Sequence, residues 1–325
     1  MNSIIETNQV TKEFVTKRGF LKRTTSITRA LDQVNVTINE NEIFGLIGES
    51  GSGKTTLGLA ILRLIELNQG KINFFGENIY DLKKRQLFDF REKTQMIFQD
   101  PYSSLNPVVT VYKSVSTPLK VFHKEMSEEQ VVDKVIKTLE TVGLTPADQF
   151  LNKFPGQMSG GQRQRVGIAR AVISDPDFIV ADEPVSMLDV SLRADILNIL
   201  INLKLKLKKS MMFISHDITV TQYVSDRIAV MHLGQIVEMG ESGEIIKNPL
   251  HPYTKTLIDS IPVPDPNKKW NTDEIGGQIS EYTNEGKNEC SYANKCPFMK
   301  DVCRKRRPDF KEVENNHFVA CVLYD

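Results

Sequence analysis

The stretch GESGSGKT occupies residues 48–55, after the apolar segment EIFGLI and at the start of the amphipathic segment TTLGLAILRLI. It fits the pattern G-x-x-x-x-G-K-[ST] in the strand–turn–helix context that this pattern requires. Glycines permit positive φ, so the backbone N–H groups can turn inward around phosphate oxygens, and the helix start adds partial positive charge. The stretch therefore predicts a nucleotide phosphate site. Its candidate contacts are Gly48, Glu49, Ser50, Gly51, Ser52, Gly53, Lys54, Thr55 and Thr56.

A second apolar segment, FIVAD at 178–182, ends in the carboxylate Asp182, which Glu183 follows. At the end of a strand, Asp182 is suited to hold Mg²⁺ through water together with the Thr55 hydroxyl, and Glu183 is suited to polarise an attacking water. Alone, an acidic pair after a strand is most often a helix cap or a surface feature. Together with the phosphate loop, it predicts a Mg²⁺-dependent site of phosphate hydrolysis.

Segments of strand and helix character alternate along most of the chain. Helical periodicity is found over 126–143, over 163–172 and near 190–208, and the apolar strand-like segments include FIVAD, MMFIS and RIAVM. This alternation predicts an α/β fold with a mostly parallel sheet. The texture changes near Pro249, which predicts a main domain over 1–250 and a smaller extension over 251–325.

The bulk composition limits the classes of function. The 325 residues carry equal numbers of basic and acidic side chains, so the formal charge is zero, which argues against sequence-independent nucleic-acid binding. The first residues lack signal-peptide architecture, and no apolar run is long enough to span a bilayer. We therefore expect a cytosolic protein with, at most, a peripheral membrane role. The basic insert at 17–29 predicts an exposed loop or arm of unassigned role.

A third motif narrows the prediction. Met158 opens the sequence MSGGQ, which resembles the LSGGQ signature of ABC ATPases, and RQRVGIARA continues the pattern. The resemblance implies a P-loop (RecA-like) core with a mixed sheet, a helical subdomain at about 100–165, and a head-to-tail dimer. In such a dimer each ATP lies between one phosphate loop and the signature of the partner. The implied signature contacts are Ser159, Gly160, Gly161 and Gln162.

Other positions match the same family in order. Gln99 in MIFQDP resembles the Q-loop glutamine, which contacts Mg²⁺ or the water, and Asp189 ends a segment that resembles the D-loop at the dimer interface. His216 in FISHD resembles the switch histidine that contacts the γ-phosphate. Phe14 resembles the aromatic residue that stacks on adenine, and Phe20 is the other candidate for that role. With Glu183, these residues imply a hydrolysis-competent site for ATP and Mg²⁺.

Longer strings indicate the subfamily. FQDPYSSLNP, ADEPVSMLDVS and NPLHPYTKTLIDSIP resemble the ATPases of oligopeptide and dipeptide importers, and the run DVSLRADILNIL resembles their F-type subunit. The resemblance implies a related ATPase as dimer partner, two transmembrane permease subunits, an extracellular binding protein, and a location on the cytoplasmic face of the membrane. Members of this family also carry nickel or oligosaccharides, so those solutes are alternatives.

Other classes of ABC ATPase remain as competing hypotheses. A soluble ATPase acting on ribosomes or DNA usually has two cassettes or a long coiled-coil insertion, and the sequence has neither. The extended C-terminus argues against an exporter ATPase. Hydrolysis of ATP would exclude a purely regulatory module.

All cysteines lie in the last 36 residues: Cys290, Cys296, Cys303 and Cys321. Their spacing, C-x5-C-x6-C-x17-C, fits neither common ferredoxin pattern nor a zinc ribbon. Resembling importer ATPases hold a [4Fe–4S] cluster in this region, and the basic residues 304–307 and Lys311 would offset its thiolates. Three alternatives stay open: an iron–sulfur cluster, a zinc site, and buried thiols without a metal.

Overall fold

The computed structural model describes residues 2–18, 24–100, 102, 104–261 and 288–325. Its strands are β1 Ser3–Arg18, β2 Thr24–Asn39, β3 Ile43–Ile47, β4 Gln69–Phe74, β5 Glu77–Asn78, β6 Thr94–Ile97, β7 Phe178–Asp182, β8 Ser210–Ser215, β9 Arg227–His232, β10 Gln235–Glu241, β11 Lys311–Glu314 and β12 His317–Val319. Its α-helices are α1 Lys54–Ile61, α2 Lys84–Lys93, α3 Val111–Phe122, α4 Glu128–Thr141, α5 Asp148–Leu151, α6 Gly160–Val172, α7 Val190–Leu207, α8 Ile218–Val224, α9 Ser242–Lys247 and α10 Pro252–Asp259.

The main sheet has the strand order β11-β12-β10-β9-β3-β8-β7-β6. The pairs β3–β8, β3–β9, β7–β8 and β6–β7 are parallel, whereas β9–β10, β10–β12 and β11–β12 are antiparallel. The sheet is therefore mixed, with a parallel centre. Because β3 and β7 are close neighbours on either side of β8, their carboxyl ends lie on the same edge of the sheet. This edge brings the phosphate loop near Asp182.

Both faces of the parallel centre are buried, as is typical of sheets covered on two sides. Along β8, Met211 and Phe213 belong to one core cluster, and Met212 and Ile214 belong to the other. All four side chains are fully buried. The alternation of side chains along the strand thus divides the apolar residues between two cores.

A second, antiparallel sheet of order β2-β1-β4-β5 contributes to one of these cores through residues such as Ile5, Val36 and Ile72. Its β1–β2 pairing continues to Lys17 opposite Thr25 and Arg18 opposite Thr24. For the predicted loop or arm at 17–29, an irregular loop is therefore wrong at both ends, whereas the arm stays a prediction, and residues 19–23 lie outside the described part. β-branched residues in the segment TTSIT favour strand, which the charge pattern obscured.

The helical subdomain packs on the opposite core. Helix α4 confirms the periodicity seen over 126–143, and Ser127 caps it by accepting a hydrogen bond from Gln130 N at 3.3 Å. Val131, Val135 and Leu139 of α4 join the same core cluster as Val115 of α3. The buried apolar stripes of these helices connect residues 111–141 firmly to the main sheet.

The C-terminal extension is joined to the main sheet. Met239 of β10 pairs with Phe318 of β12. The fully buried Glu238 accepts hydrogen bonds from His317 Nε2 at 2.7 Å, Leu250 N at 2.8 Å and His251 N at 2.9 Å. The domain boundary near residue 250 stays a prediction. The hydrogen bonds that Glu238 accepts from His251 and His317 join the residues on its two sides. Within the described residues, no helix is long and apolar enough to cross a membrane.

Candidate functional site

The phosphate loop connects β3 to α1 in a conformation that only glycine adopts easily. Gly48 has φ +153° and Gly53 has φ +105°. A Cβ atom on Gly48 would lie 2.1 Å from the carbonyl oxygen of Met231, and one on Gly53 would lie 2.3 Å from that of Ala30. The two glycines of the motif are therefore required by backbone geometry and by close packing.

Lys54 lies at the centre of this loop. Its Nζ donates hydrogen bonds to the carbonyl oxygens of Gly48 at 2.7 Å and Glu49 at 2.9 Å. Burial lowers the pKa of the Lys54 ammonium, whereas the charges of Glu183 and Asp182 act in the opposite direction. The Lys54 ammonium is therefore enclosed by the phosphate loop, and the charges of Asp182 and Glu183 favour its protonated form.

Two of the candidate Mg²⁺ ligands, Thr55 at the start of α1 and Asp182 at the end of β7, are in direct contact. Thr55 Oγ1 donates a hydrogen bond to Asp182 Oδ1 at 3.2 Å. Burial raises the pKa of the Asp182 carboxyl, and the hydrogen bond from Thr55 opposes that rise. A hydroxyl oxygen and a carboxylate oxygen side by side are the chemistry that Mg²⁺ prefers.

Glu183 is held by two neighbours from separate segments. Gln99 Nε2 donates to its Oε2 at 3.0 Å, and His216 Nδ1 lies 3.1 Å from its Oε1. Glu183 also has φ +45°, in the left-handed region that non-glycine residues rarely adopt. Its backbone N–H donates to Ile214 O at 2.9 Å. A strained residue fixed on both its backbone and its carboxylate is typical of a functional site.

These residues line one cavity of about 480 Å³. Its lining consists of Ala30, Ser50, Gly51, Gly53, Lys54, Thr55, Thr56, Gln99, Glu183 and His216. The structure thus brings most of the predicted loop residues together with Gln99, Glu183 and His216. Ala30 was not predicted, because an isolated alanine carries no chemical signal.

Comparison with known families and proteins is consistent with this geometry. Residues 31–186 match the ABC transporter family model, and residues 237–303 match the model of the oligopeptide/dipeptide transporter C-terminal region. The chain is 43% identical to the putative oligopeptide transport ATP-binding protein YkfD of Bacillus subtilis, over 91% of this chain and 90% of that protein. It is 40% identical to OppF of the same organism, an oligopeptide transport ATP-binding protein, over 98% and 96%.

The chain belongs to the ATP-binding subunits of the oligopeptide/dipeptide ABC transporter family. Its fold is also similar to a solved dimeric ATP-binding cassette in a post-hydrolysis state with ADP and phosphate. The TM-score is 0.64 at 31% identity, over 73% of this chain and 98% of that chain. The predicted α/β P-loop fold is confirmed, and this ABC ATPase is an ATP hydrolase.

The signature residues of this ABC ATPase lie outside the cavity. Ser159 caps α6 by accepting a hydrogen bond from Gln162 N at 3.3 Å, and it is exposed. A Cβ atom on Gly161 would lie 3.1 Å from Leu192, three residues beyond the exposed Asp189 at the start of α7. The start of α6, with the predicted signature, is therefore a neighbour of the first turn of α7, which follows the predicted D-loop residue, and none of these residues lines the cavity.

Phe14 is also absent from the cavity lining. Its ring is exposed on β1, opposite Thr28 of β2, with Lys12 Nζ 5.2 Å from the ring centroid. An exposed ring on this strand is free to contact a base, so its role in stacking on adenine stays a prediction. Phe20, a weaker candidate for the same role, lies outside the described residues.

The C-terminal cysteines are free thiols. Burial raises the pKa of the Cys290 thiol to about 11. The other three cysteines lie near enough to contribute to this rise through their charge. Over the described ranges, no group of three or more His, Cys, Asp or Glu side chains is arranged to hold a metal ion. Arg306 and Lys311, expected to offset thiolates, instead form ion pairs with Asp325 at 2.6 and 3.2 Å. Neither the iron–sulfur nor the zinc alternative finds support in this arrangement.

One contact to the phosphate loop was missed from the sequence. The hydroxyl of Tyr253, in helix α10, accepts a hydrogen bond from the backbone N–H of Glu49 at 2.9 Å. The string LHPYT containing Tyr253 was recognised only as a family feature. A separation of 204 residues leaves no local signal for such a contact.

Proposed function

We propose that this ATPase powers the import of oligopeptides or dipeptides, as one of two related ATPase subunits on a two-protein permease at the cytoplasmic face of the membrane. The main support for ATP-driven transport is the position of the Glu183 carboxylate. It lies between Gln99 and His216 in the cavity of the phosphate loop. The names of the relatives YkfD and OppF support oligopeptides as the transported class.

Each residue of the cavity has a proposed role. Lys54 and the loop amides bind the β- and γ-phosphates of ATP, and Thr55 holds Mg²⁺ directly, with Asp182 acting through water. Glu183 takes a proton from the attacking water, while Gln99 orients that water and contacts the metal. His216 fixes Glu183 and contacts the γ-phosphate. The measured contacts among these side chains support this division of roles.

The second half of each ATP site comes from a partner subunit. Ser159, Gly160, Gly161 and Gln162 of one subunit, with Asp189, close over the phosphate loop of the other. The N-terminus of α6, outside the cavity, supports this arrangement: the capping box satisfies the N–H groups of Ser159 and Gln162, and those of Gly160 and Gly161 remain for an anion. Similarity to OppF supports an F-type subunit in an unequal pair. Pull-down of a related ATPase, rather than of the same chain, tests the heterodimer.

The proposed permease contact is an open groove of about 700 Å³ between the main sheet and helix α3. It exposes the apolar side chains of Leu64, Phe98 and Val121, and Phe98 precedes Gln99 in the chain. Exposed apolar groups gathered in a groove are typical of binding surfaces. Val121→Glu should abolish co-purification with the permease, and Val313→Glu, on the distant strand β11, should not. Retained co-purification of Val121→Glu would contradict this assignment.

The transported solute is tested in vesicles that contain the permease and both ATPases, with the solute-binding protein outside. Uptake of labelled di- and oligopeptides that requires ATP and stops with Glu183→Gln would support the proposal. Uptake of nickel or oligosaccharides, without peptides, would support the alternative importer class instead. Neighbouring genes for a permease and a binding protein would supply the partners for this assay.

A further inference from the structure

The phosphate loop is held from two sides at a single peptide unit. The backbone N–H of Glu49 donates to the hydroxyl of Tyr253 at 2.9 Å, and its carbonyl oxygen accepts from Lys54 Nζ, also at 2.9 Å. Glu49 itself is exposed, whereas Tyr253 is 1% exposed. The backbone amide of the loop therefore reaches a buried acceptor that belongs to the C-terminal extension.

Tyr253 is itself fixed by its surroundings. Its ring packs edge-on against His232, with centroids 4.4 Å apart, and lies 5.3 Å from the ring of Tyr292. Its backbone N–H donates to His251 Nδ1 at 3.0 Å. The preceding segment is held by the buried carboxylate of Glu238, which accepts from the backbone N–H groups of Leu250 and His251. The tyrosine hydroxyl thus has little freedom to follow a loop that moves.

A phosphate loop binds well when its amide groups are already directed at the phosphate before the ligand arrives. In this chain, glycine at positions 48 and 53 leaves the loop backbone more accessible conformations than a residue with a Cβ atom would. A fixed acceptor at Glu49 limits that freedom at the beginning of the loop. Without the Tyr253 hydroxyl, the backbone N–H of Glu49 would lose its acceptor, and we expect the loop to change its conformation.

We infer that Tyr253 is a positioning residue for the phosphate loop, through which the C-terminal extension contributes directly to ATP binding. The inference rests on the proposed assignment of residues 48–55 as the phosphate site. It extends that proposal, because it gives the extension a role in binding nucleotide as well as in folding. Tyr253 acts on the loop backbone and does not touch the nucleotide.

The test compares two tyrosine-to-phenylalanine variants of the same aromatic cluster. Tyr253→Phe keeps the ring but removes the acceptor of Glu49 N–H. Tyr292→Phe removes a hydroxyl that lies 3.1 Å from Thr256 Oγ1 and, among the described residues, makes no hydrogen bond to the loop. In calorimetric titration of the full chain with MgATP, we expect Tyr253→Phe to weaken binding about tenfold, and Tyr292→Phe less than about twofold. Their melting temperatures should fall by similar amounts.

Two outcomes of the titration overturn the inference. Tyr253→Phe that binds MgATP as tightly as the unaltered chain would exclude positioning by the hydroxyl. Equal weakening by Tyr253→Phe and Tyr292→Phe would indicate a general loss of packing. Lys54→Ala distinguishes an error in the proposed phosphate site from an error in the role of Tyr253. If it still binds MgATP, the phosphate site itself is wrongly assigned, and the inference fails with it; if it loses binding while Tyr253→Phe retains it, only the inference fails.

A measurement on the unaltered chain covers the case in which Tyr253→Phe does not fold. Amide hydrogen exchange in the nucleotide-free protein should find the Glu49 N–H protected, because it is bonded to a buried hydroxyl. The amide of the exposed Gly51, at the tip of the loop, is the internal reference and should exchange faster. Exchange of Glu49 as rapid as that of Gly51 would contradict the contact.

Discussion

Glu183 Oε1 lies 3.1 Å from Nδ1 of His216, although the two residues belong to separate turns at the ends of β7 and β8. Because β7 and β8 are adjacent parallel strands, their carboxyl ends bring these turns together. The side chain of His216 is 56% exposed, whereas that of Glu183 is 14% exposed. The histidine therefore covers the carboxylate on the solvent side of the cavity and is accessible to a bound phosphate.

Glu183→Gln should remove hydrolysis and leave ATP binding intact. Glutamine keeps the shape of the side chain but does not accept a proton, so phosphate release should fall by about a hundredfold or more. With MgATP, the ATP-bound dimer should accumulate on size-exclusion chromatography. Glu140→Gln, an exposed change on α4, is the matched control and should hydrolyse normally. Wild-type turnover by Glu183→Gln would show that another group is the base.

His216→Ala should lower kcat much more than it changes KM for ATP. The variant removes the contact that fixes Glu183, so we expect kcat to fall by about a hundredfold. Steady-state phosphate release over a range of ATP concentrations separates the two parameters. His123→Ala, at a half-buried histidine near the end of α3, is the control. A rise in KM with unchanged kcat would indicate a role in binding alone.

Thr55→Ala should raise the Mg²⁺ concentration that ATP hydrolysis requires. Loss of the hydroxyl beside Asp182 removes one proposed ligand, so half-maximal hydrolysis should require about tenfold more Mg²⁺. Thr55→Ser retains the hydroxyl and should behave as the unaltered chain. The measurement is phosphate release during a Mg²⁺ titration at fixed ATP. Equal Mg²⁺ dependence in the alanine and serine variants would exclude Thr55 as a ligand.

Two buried histidines should make the fold sensitive to acid. Burial lowers the pKa of His232 from 6.5 to about 4 and that of His251 to about 3. Between pH 6.5 and these folded-state values the unfolded chain binds more protons, so stability falls as pH falls. From about pH 7 to about pH 5, each should reduce the free energy of unfolding by about 2 kcal/mol.

Urea unfolding at the two pH values measures this effect. His232→Gln removes one titrating ring, so the loss of stability between the two pH values should be smaller by about 2 kcal/mol than that of the unaltered chain. The readout is this difference, because the substitution also changes packing at both pH values. A full-sized difference in His232→Gln would exclude this histidine as a source of the acid sensitivity.

The C-terminal cysteines offer a direct choice among the three alternatives. The described residues contain free thiols and no group arranged to hold a metal, so the metal content of the purified chain decides among the three alternatives. Buried thiols without a metal would give anaerobically purified protein that contains neither iron nor zinc and lacks charge-transfer absorbance in the visible range. Iron with inorganic sulfide would restore the cluster hypothesis, and one zinc per chain would restore the zinc site.

Local pattern and motif order accounted for much of this site. The spacing of GESGSGKT, the apolar run before Asp182 and the periodicity of α4 all depend on neighbours in sequence, so they were readable without the structure. The β1–β2 hairpin could not be predicted in this way. Its basic residues are typical of a solvated loop, and the sequence does not show which backbone groups pair. The bond between Glu49 and Tyr253 was also unreadable, because it depends on the packing of a distant helix.

The pairing of β10 with β12 has a practical consequence for hybrid subunits. A chimera joined near residue 250, where the sequence texture changes, would place β10 from one parent against β12 from the other. It would also separate Glu238 from His317, two buried partners that must be matched. Exchange of C-terminal parts between related subunits should therefore begin before Gln235, so that Glu238 and His317 come from the same parent.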